Sequence, residues 1–106
     1  MTTFLVEVYL PRSDDAVARG TADSARDVAQ ALSREGVPVE FVRWMYVPDD
    51  ETEFLLFEAP SKQAVLEVIR RAELPVERLA VAIVQPGREG VLPGGTRGRQ
   101  STSTGR

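Results

Sequence analysis

The spacing of apolar residues in this sequence changes from the alternation of a strand to the spacing of a helix and back. The opening run TFLVEVYL alternates and ends at Pro11, which predicts a first strand. Between Ser13 and Glu35 apolar residues recur every three or four positions, with acids at the start and Gly36 after the end, which predicts a first helix. Gly20 is a position at which this helix could divide into a short lead-in and a main helix.

The second half of the chain repeats this change of period after a predicted hairpin. VPVEFVRWMYV and TEFLLFEA indicate two strands, and PDDE between them indicates their turn. Ser61 suits the N-cap of a second helix that runs to about Ala72, Pro75 breaks the chain, and ERLAVAIV predicts a fourth strand. The helix residues expected to be buried are Val17, Ala25, Val28, Ala29 and Leu32 in the first helix, and Val65, Val68, Ile69 and Ala72 in the second.

The resulting βαββαβ order predicts an α+β fold of the ferredoxin-like type. Its four strands form one antiparallel sheet in the order 4-1-3-2, with both helices on one face. A chain of 106 residues with 42% apolar residues has material for one core. We therefore expect one domain over residues 1–84 and a disordered tail over residues 85–106, which are rich in Gly, Arg, Ser and Thr.

Two absences in the composition exclude several kinds of chemistry. The chain has no Cys and no His, so disulfides, thiolate nucleophiles, iron–sulfur clusters and the commonest metal ligand and general base are excluded. We expect no metal and no cofactor. The acidic body argues against nucleic acid, and the opening run lacks a signal peptide's basic start, so a cytoplasmic protein without a membrane partner is expected.

The sheet face away from the helices is the surface on which function is expected. In the second strand, Val42, Trp44 and Tyr46 are assigned to the helix side, because strand side chains alternate between faces. The open face is then predicted to carry Leu5, Glu7, Tyr9, Phe41, Arg43, Met45, Phe54, Leu56, Glu58, Arg78, Ala80 and Ala82.

That face is too apolar to remain in water, so a homodimer is the simplest expectation. Its polar residues leave two interpretations open. Glu7, Tyr9, Arg43 and Glu58 line a ligand cavity, or the charged members form ion pairs that fix the register of the sheet or the dimer.

The acidic run DDETE at the predicted hairpin offers carboxylates from Asp49, Asp50, Glu51 and Glu53. A calcium loop needs ligands spread over about twelve residues with a glycine at its bend. We therefore interpret all four acids as a solvated hairpin tip.

Three stretches within residues 3–84 carry a family resemblance: FLVEVYLP, GVPVEFVRWMYVPDDETEFLLFEAPSKQAV and ELPVERLAVAIV. Together they resemble a small bacterial family, domain of unknown function 4242, also described as nickel-binding-protein-like. The resemblance implies a ferredoxin-like fold that pairs into a dimeric α/β barrel. Metal-binding members of the family use histidine-rich sites, so nickel binding does not transfer to this histidine-free chain. The wider superfamily includes cofactor-free monooxygenases and muconolactone isomerases.

These observations predict a small binding or accessory protein for an anionic or aromatic ligand. One alternative is a cofactor-free isomerase or monooxygenase, in which Glu58 or Glu7 abstracts a proton and Arg43 stabilises the oxyanion. The other is a structural dimerisation module without a ligand.

Overall fold

A computed structural model of the chain describes residues 1–87, and the rest of the predicted tail, residues 88–106, lies outside the described residues. The predicted βαββαβ order is confirmed, and the fold is of the ferredoxin-like α+β type. Its elements are β1 (Thr2–Tyr9), α1 (Asp15–Arg34), β2 (Glu40–Val47), a short 3-10 turn (Pro48–Asp50), β3 (Thr52–Ala59), α2 (Lys62–Ala72) and β4 (Val76–Val81).

The four strands form one antiparallel sheet in the order β2-β3-β1-β4, which is the predicted order counted from the other edge. Both helices pack on one face of this sheet, because each crossover returns the chain to the same side. Between the sheet and the helices lies a core in which Val6, Val8, Leu55 and Phe57 have no exposed surface.

Helix α1 is continuous through Gly20 and is capped at both ends. The Asp14 side chain accepts a hydrogen bond from the Val17 amide at 3.0 Å, and Gly36 ends the helix with a φ of 98°. The expectation that Val17 is buried is wrong, because this side chain lies off the stripe that meets the sheet. That stripe consists of Ala18, Ala22, Ala25, Ala29 and Leu32.

A β-bulge in β2 overturns two predicted side-chain directions. Phe41 pairs with Phe57 and Arg43 pairs with Leu56, so one extra residue, Val42, lies between them. Phe41 was expected on the open face but packs edge-on against Phe57, with ring centroids 5.4 Å apart. Val42 was expected under the helices and is exposed instead. After the bulge the predicted alternation holds, so Trp44 packs against the core.

An arginine links the two helices at the surface. The Arg71 guanidinium donates two hydrogen bonds to the Glu35 carboxylate, at 2.9 and 3.0 Å, and a third to Glu67 at 2.7 Å. Hydrogen bonds from Arg70 and Arg71 lower the pKa of Glu67 to about 2, and the bonds from Arg71 lower the pKa of Glu35.

Candidate functional site

The open sheet face is formed by side chains that match across the strand register. Leu5 lies opposite Leu56 on one side and Ala80 on the other, and Met45 lies opposite Phe54. Arg43 and Met45 share this face, as predicted, because both follow the bulge in β2. Glu40 lies here too, opposite Glu58.

A groove of about 410 Å³ runs across the centre of this face. Its walls are Leu5, Met45, Phe54 and Leu56, and the remaining lining residue is Arg43. Arg43 is exposed and makes no salt bridge within residues 1–87. The groove therefore combines apolar walls with one cationic group that has its hydrogen-bond donors available.

Glu7 and Arg78 form the ion pair on this face. They are direct cross-strand neighbours, and Arg78 Nη1 lies 3.4 Å from Glu7 Oε2. The Glu7 side chain is 23% exposed and the Arg78 side chain 67% exposed, so solvent screens the pair. The ion-pair interpretation therefore applies to Glu7.

Tyr9 and Glu58 lie away from the groove. The Tyr9 hydroxyl donates to Glu51 Oε1 at 3.4 Å, which directs the ring toward the β2–β3 turn. Glu58 lies at the other end of the face, beside Thr3 and Glu40. Of the four predicted site residues, Arg43 lines the groove. In the described part of the chain, the four do not line one common cavity.

Glu53 is an acidic residue that the sequence interpretation placed wrongly. It was assigned to the solvated hairpin tip, but it lies inside β3 with 0% of its surface exposed. Neither carboxylate oxygen has a hydrogen-bond partner among the described residues, and burial raises the pKa of Glu53 to about 7. Strand alternation was the signal for this position, because Glu53 has the same parity as Leu55 and Phe57.

The remaining acids of DDETE lie in the turn between β2 and β3. Asp49 and Asp50 are exposed, and within residues 1–87 no group of three or more acidic side chains could hold a metal ion. Across the same residues, no helix combines the length and apolar character that crossing a bilayer requires.

The fold and the open face define this chain as a ferredoxin-like α+β protein with an apolar, groove-bearing sheet surface. No family model matches the chain, and no curated protein matches it. The chain is similar to the solved structure of SCO4226 from Streptomyces coelicolor A3(2). The match has a TM-score of 0.57 and 20% identity, and it covers 79% of this chain and 99% of SCO4226. At this identity the likeness shows the fold.

Proposed function

We propose that this chain is a small homodimeric binding protein. Its open sheet face is covered by a second copy, and its groove holds a small ligand with an apolar body and an anionic group. The observation that carries the proposal is the position of Arg43, the charged lining residue of an otherwise apolar groove.

A second copy is the partner whose surface matches this face. Leu5, Phe54 and Leu56 are only half-buried and Met45 is 56% exposed, so an apolar patch lies at the centre of the sheet. A two-fold contact would bury this patch twice and would leave the two grooves facing each other. The resemblance to domain of unknown function 4242 carries the same expectation of a dimeric α/β barrel.

The character of the ligand follows from the lining of the groove. A guanidinium binds carboxylate, sulfonate or phosphate oxygens through paired hydrogen bonds, and its attraction strengthens where apolar walls exclude water. Aliphatic and aromatic walls favour a flat or branched apolar body. A cytoplasmic location belongs to this proposal, since the chain has no cysteine for the disulfides common in small secreted domains.

The enzyme alternative has less support from the geometry. It requires a carboxylate close to Arg43, but Glu7 binds Arg78, and Glu58 forms neither a hydrogen bond nor a salt bridge with Arg43 in the part of the chain described. A proton-abstracting residue beside an oxyanion-binding guanidinium is therefore not assembled.

The binding proposal can be tested with 8-anilinonaphthalene-1-sulfonate, an aromatic anion that fluoresces in apolar sites. We expect Arg43→Gln to weaken its binding by about tenfold, the loss typical of a charge-assisted hydrogen bond. N-phenyl-1-naphthylamine, which lacks the sulfonate, should bind both proteins alike.

Arg26→Gln is the matched control, because Arg26 is a half-exposed arginine of α1 that pairs with Asp23. This variant should bind the sulfonate as the wild type does. Near-UV circular dichroism should confirm that each variant keeps its packing. Equal sulfonate affinity in the wild type and the Arg43 variant would contradict the proposal that Arg43 binds an anionic group of the ligand.

A further inference from the structure

Glu53 is a buried carboxylate on the helix side of the sheet, outside the proposed groove. It lies opposite Val8 of β1 and Tyr46 of β2, so its strand neighbours include one apolar side chain and one phenol. Both of its oxygens lack a hydrogen-bond donor among the described residues. A charge in this position is strongly disfavoured, so the folded state holds Glu53 as the neutral acid.

The charged groups around this end of the sheet do not relieve the energetic cost of a charge on Glu53. The pKa of Tyr46 is raised by burial and by negative charges on Asp14, Asp15 and Glu51, so several acids act on this end of the sheet together. The guanidinium of Arg19 lies 5.7 Å from the Trp44 ring centroid, above its face. The other charged groups here are Arg12 of the connection and Asp49 and Asp50 of the turn. Arg71 of α2 lies away from this end, because it binds Glu35 beyond the C-terminus of α1.

Two connecting segments close this end of the sheet, and we call them together the latch: residues 10–15 and residues 48–51. Glu51 joins them, because its carbonyl accepts from the Leu10 amide at 2.8 Å and its carboxylate from the Arg12 amide at 3.0 Å. The Tyr46 hydroxyl also donates to the Ser13 carbonyl at 3.1 Å. The latch therefore connects directly to the residue opposite Glu53.

The backbone of the latch is strained at both of its joined segments. Arg12 and Glu51 have φ values of 55° and 52°, in the left-handed region that side chains other than glycine rarely adopt. Release of the latch would relieve this strain, which partly offsets the hydrogen bonds lost.

We propose that Glu53 is a proton-operated switch whose ionisation opens the latch and exposes the carboxylate to water. The neutral acid fits the closed core, whereas the carboxylate requires solvent or a donor such as Arg12 or Arg19. Because burial raises the pKa of Glu53 to about 7, the change falls near neutral pH. The groove on the opposite face is not required for this switch, so the two proposals fail independently.

Hydrogen exchange of the latch amides tests the switch directly. Protection factors, which remove the intrinsic pH dependence of exchange, should be measured on the full chain between about pH 5 and pH 8.5. Below the transition, protection of the Leu10 and Arg12 amides should fall by about tenfold per pH unit, because each opening event releases one proton, and above it the protection should level off. The core amides of Val6 and Leu55 should keep their protection.

Tryptophan fluorescence gives a second readout, since Trp44 is the chain's single tryptophan and lies two residues from Tyr46. Acrylamide should quench it more strongly at pH 8.5 than at pH 6. Glu53→Gln, a neutral side chain of the same shape, should remove the pH dependence of both readouts. Glu77→Gln, at an exposed position of β4, should retain it.

Glu53→Met provides a second neutral variant if the buried amide of Gln prevents folding. A flat wild-type profile over this pH range would overturn the proposal. So would an equal loss of protection at the latch and at the core amides, or an unchanged transition in a folded neutral variant.

Discussion

Glu58 lies directly opposite Glu40 in the β2–β3 register, so two carboxylates face each other on the open side of the sheet. Like charges in this arrangement destabilise a strand pair, whereas opposite charges stabilise it. We expect Glu40→Lys to raise the free energy of unfolding by about 0.2–1 kcal/mol. Urea denaturation measures the change, and Glu40→Gln should give a smaller gain. A gain that persists unchanged in high salt would contradict an electrostatic origin.

The order of the elements could be predicted because each one carries its own local signal. TEFLLFEA gave the bounds of β3 correctly, and Ser61 marked the cap of α2, where its hydroxyl accepts from the Ala64 amide at 3.4 Å. These signals depend on residues that are neighbours in sequence. Strand order then followed from the rules for short, right-handed connections.

The directions of individual side chains were harder to predict where two signals conflict. Val42 is as apolar as its neighbours, so nothing local indicated that the bulge would leave it outside. At Glu53 the charge suggested solvent while the strand parity indicated burial, and the parity was correct. Whether Arg43 and Glu58 would form a pair depended on the register, which composition does not reveal.

The open face should support dimerisation through its apolar centre. Met45 is 56% exposed and contributes to the groove rather than to the core, so Met45→Lys should leave the fold of the subunit intact. We expect this variant to sediment as a monomer at micromolar concentrations at which the wild type sediments as a dimer. A lysine at the centre of the contact would be buried without a partner charge.

Leu66→Lys is the matched control for the dimer. Leu66 is 43% exposed on α2, which packs on the opposite face of the sheet. This variant should remain dimeric. A wild-type chain that sediments as a monomer, or two lysine variants that behave alike, would count against the open face as the contact.

The link between the helices should make the protein sensitive to acid. Hydrogen bonds from Arg70 and Arg71 hold the pKa of Glu67 at about 2, below the ordinary value of 4.5. A lowered pKa contributes stability that is present above 4.5 and is lost as the pH falls toward 2. Arg71→Gln should therefore reduce the pH dependence of the melting temperature across this interval. Arg34→Gln, which removes an exposed charge from the last turn of α1, should retain it.

Glu53 should give the stability of the chain a pH dependence opposite to that caused by Glu67. Its folded pKa of about 7 lies above the ordinary value of 4.5, so the folded state binds the proton more tightly than the unfolded state does. The stability that Glu53 contributes is fully present below pH 4.5 and is lost as the pH rises through 7. Between pH 5 and pH 8 we expect a loss of about 2 to 3 kcal/mol, limited by the free energy of opening the latch. Urea denaturation followed by Trp44 fluorescence measures it.

Glu53→Gln should be less stable than the wild type at pH 5, because its buried amide lacks partners, and more stable at pH 8. Parallel stability curves for the two proteins would show that Glu53 does not ionise in this range.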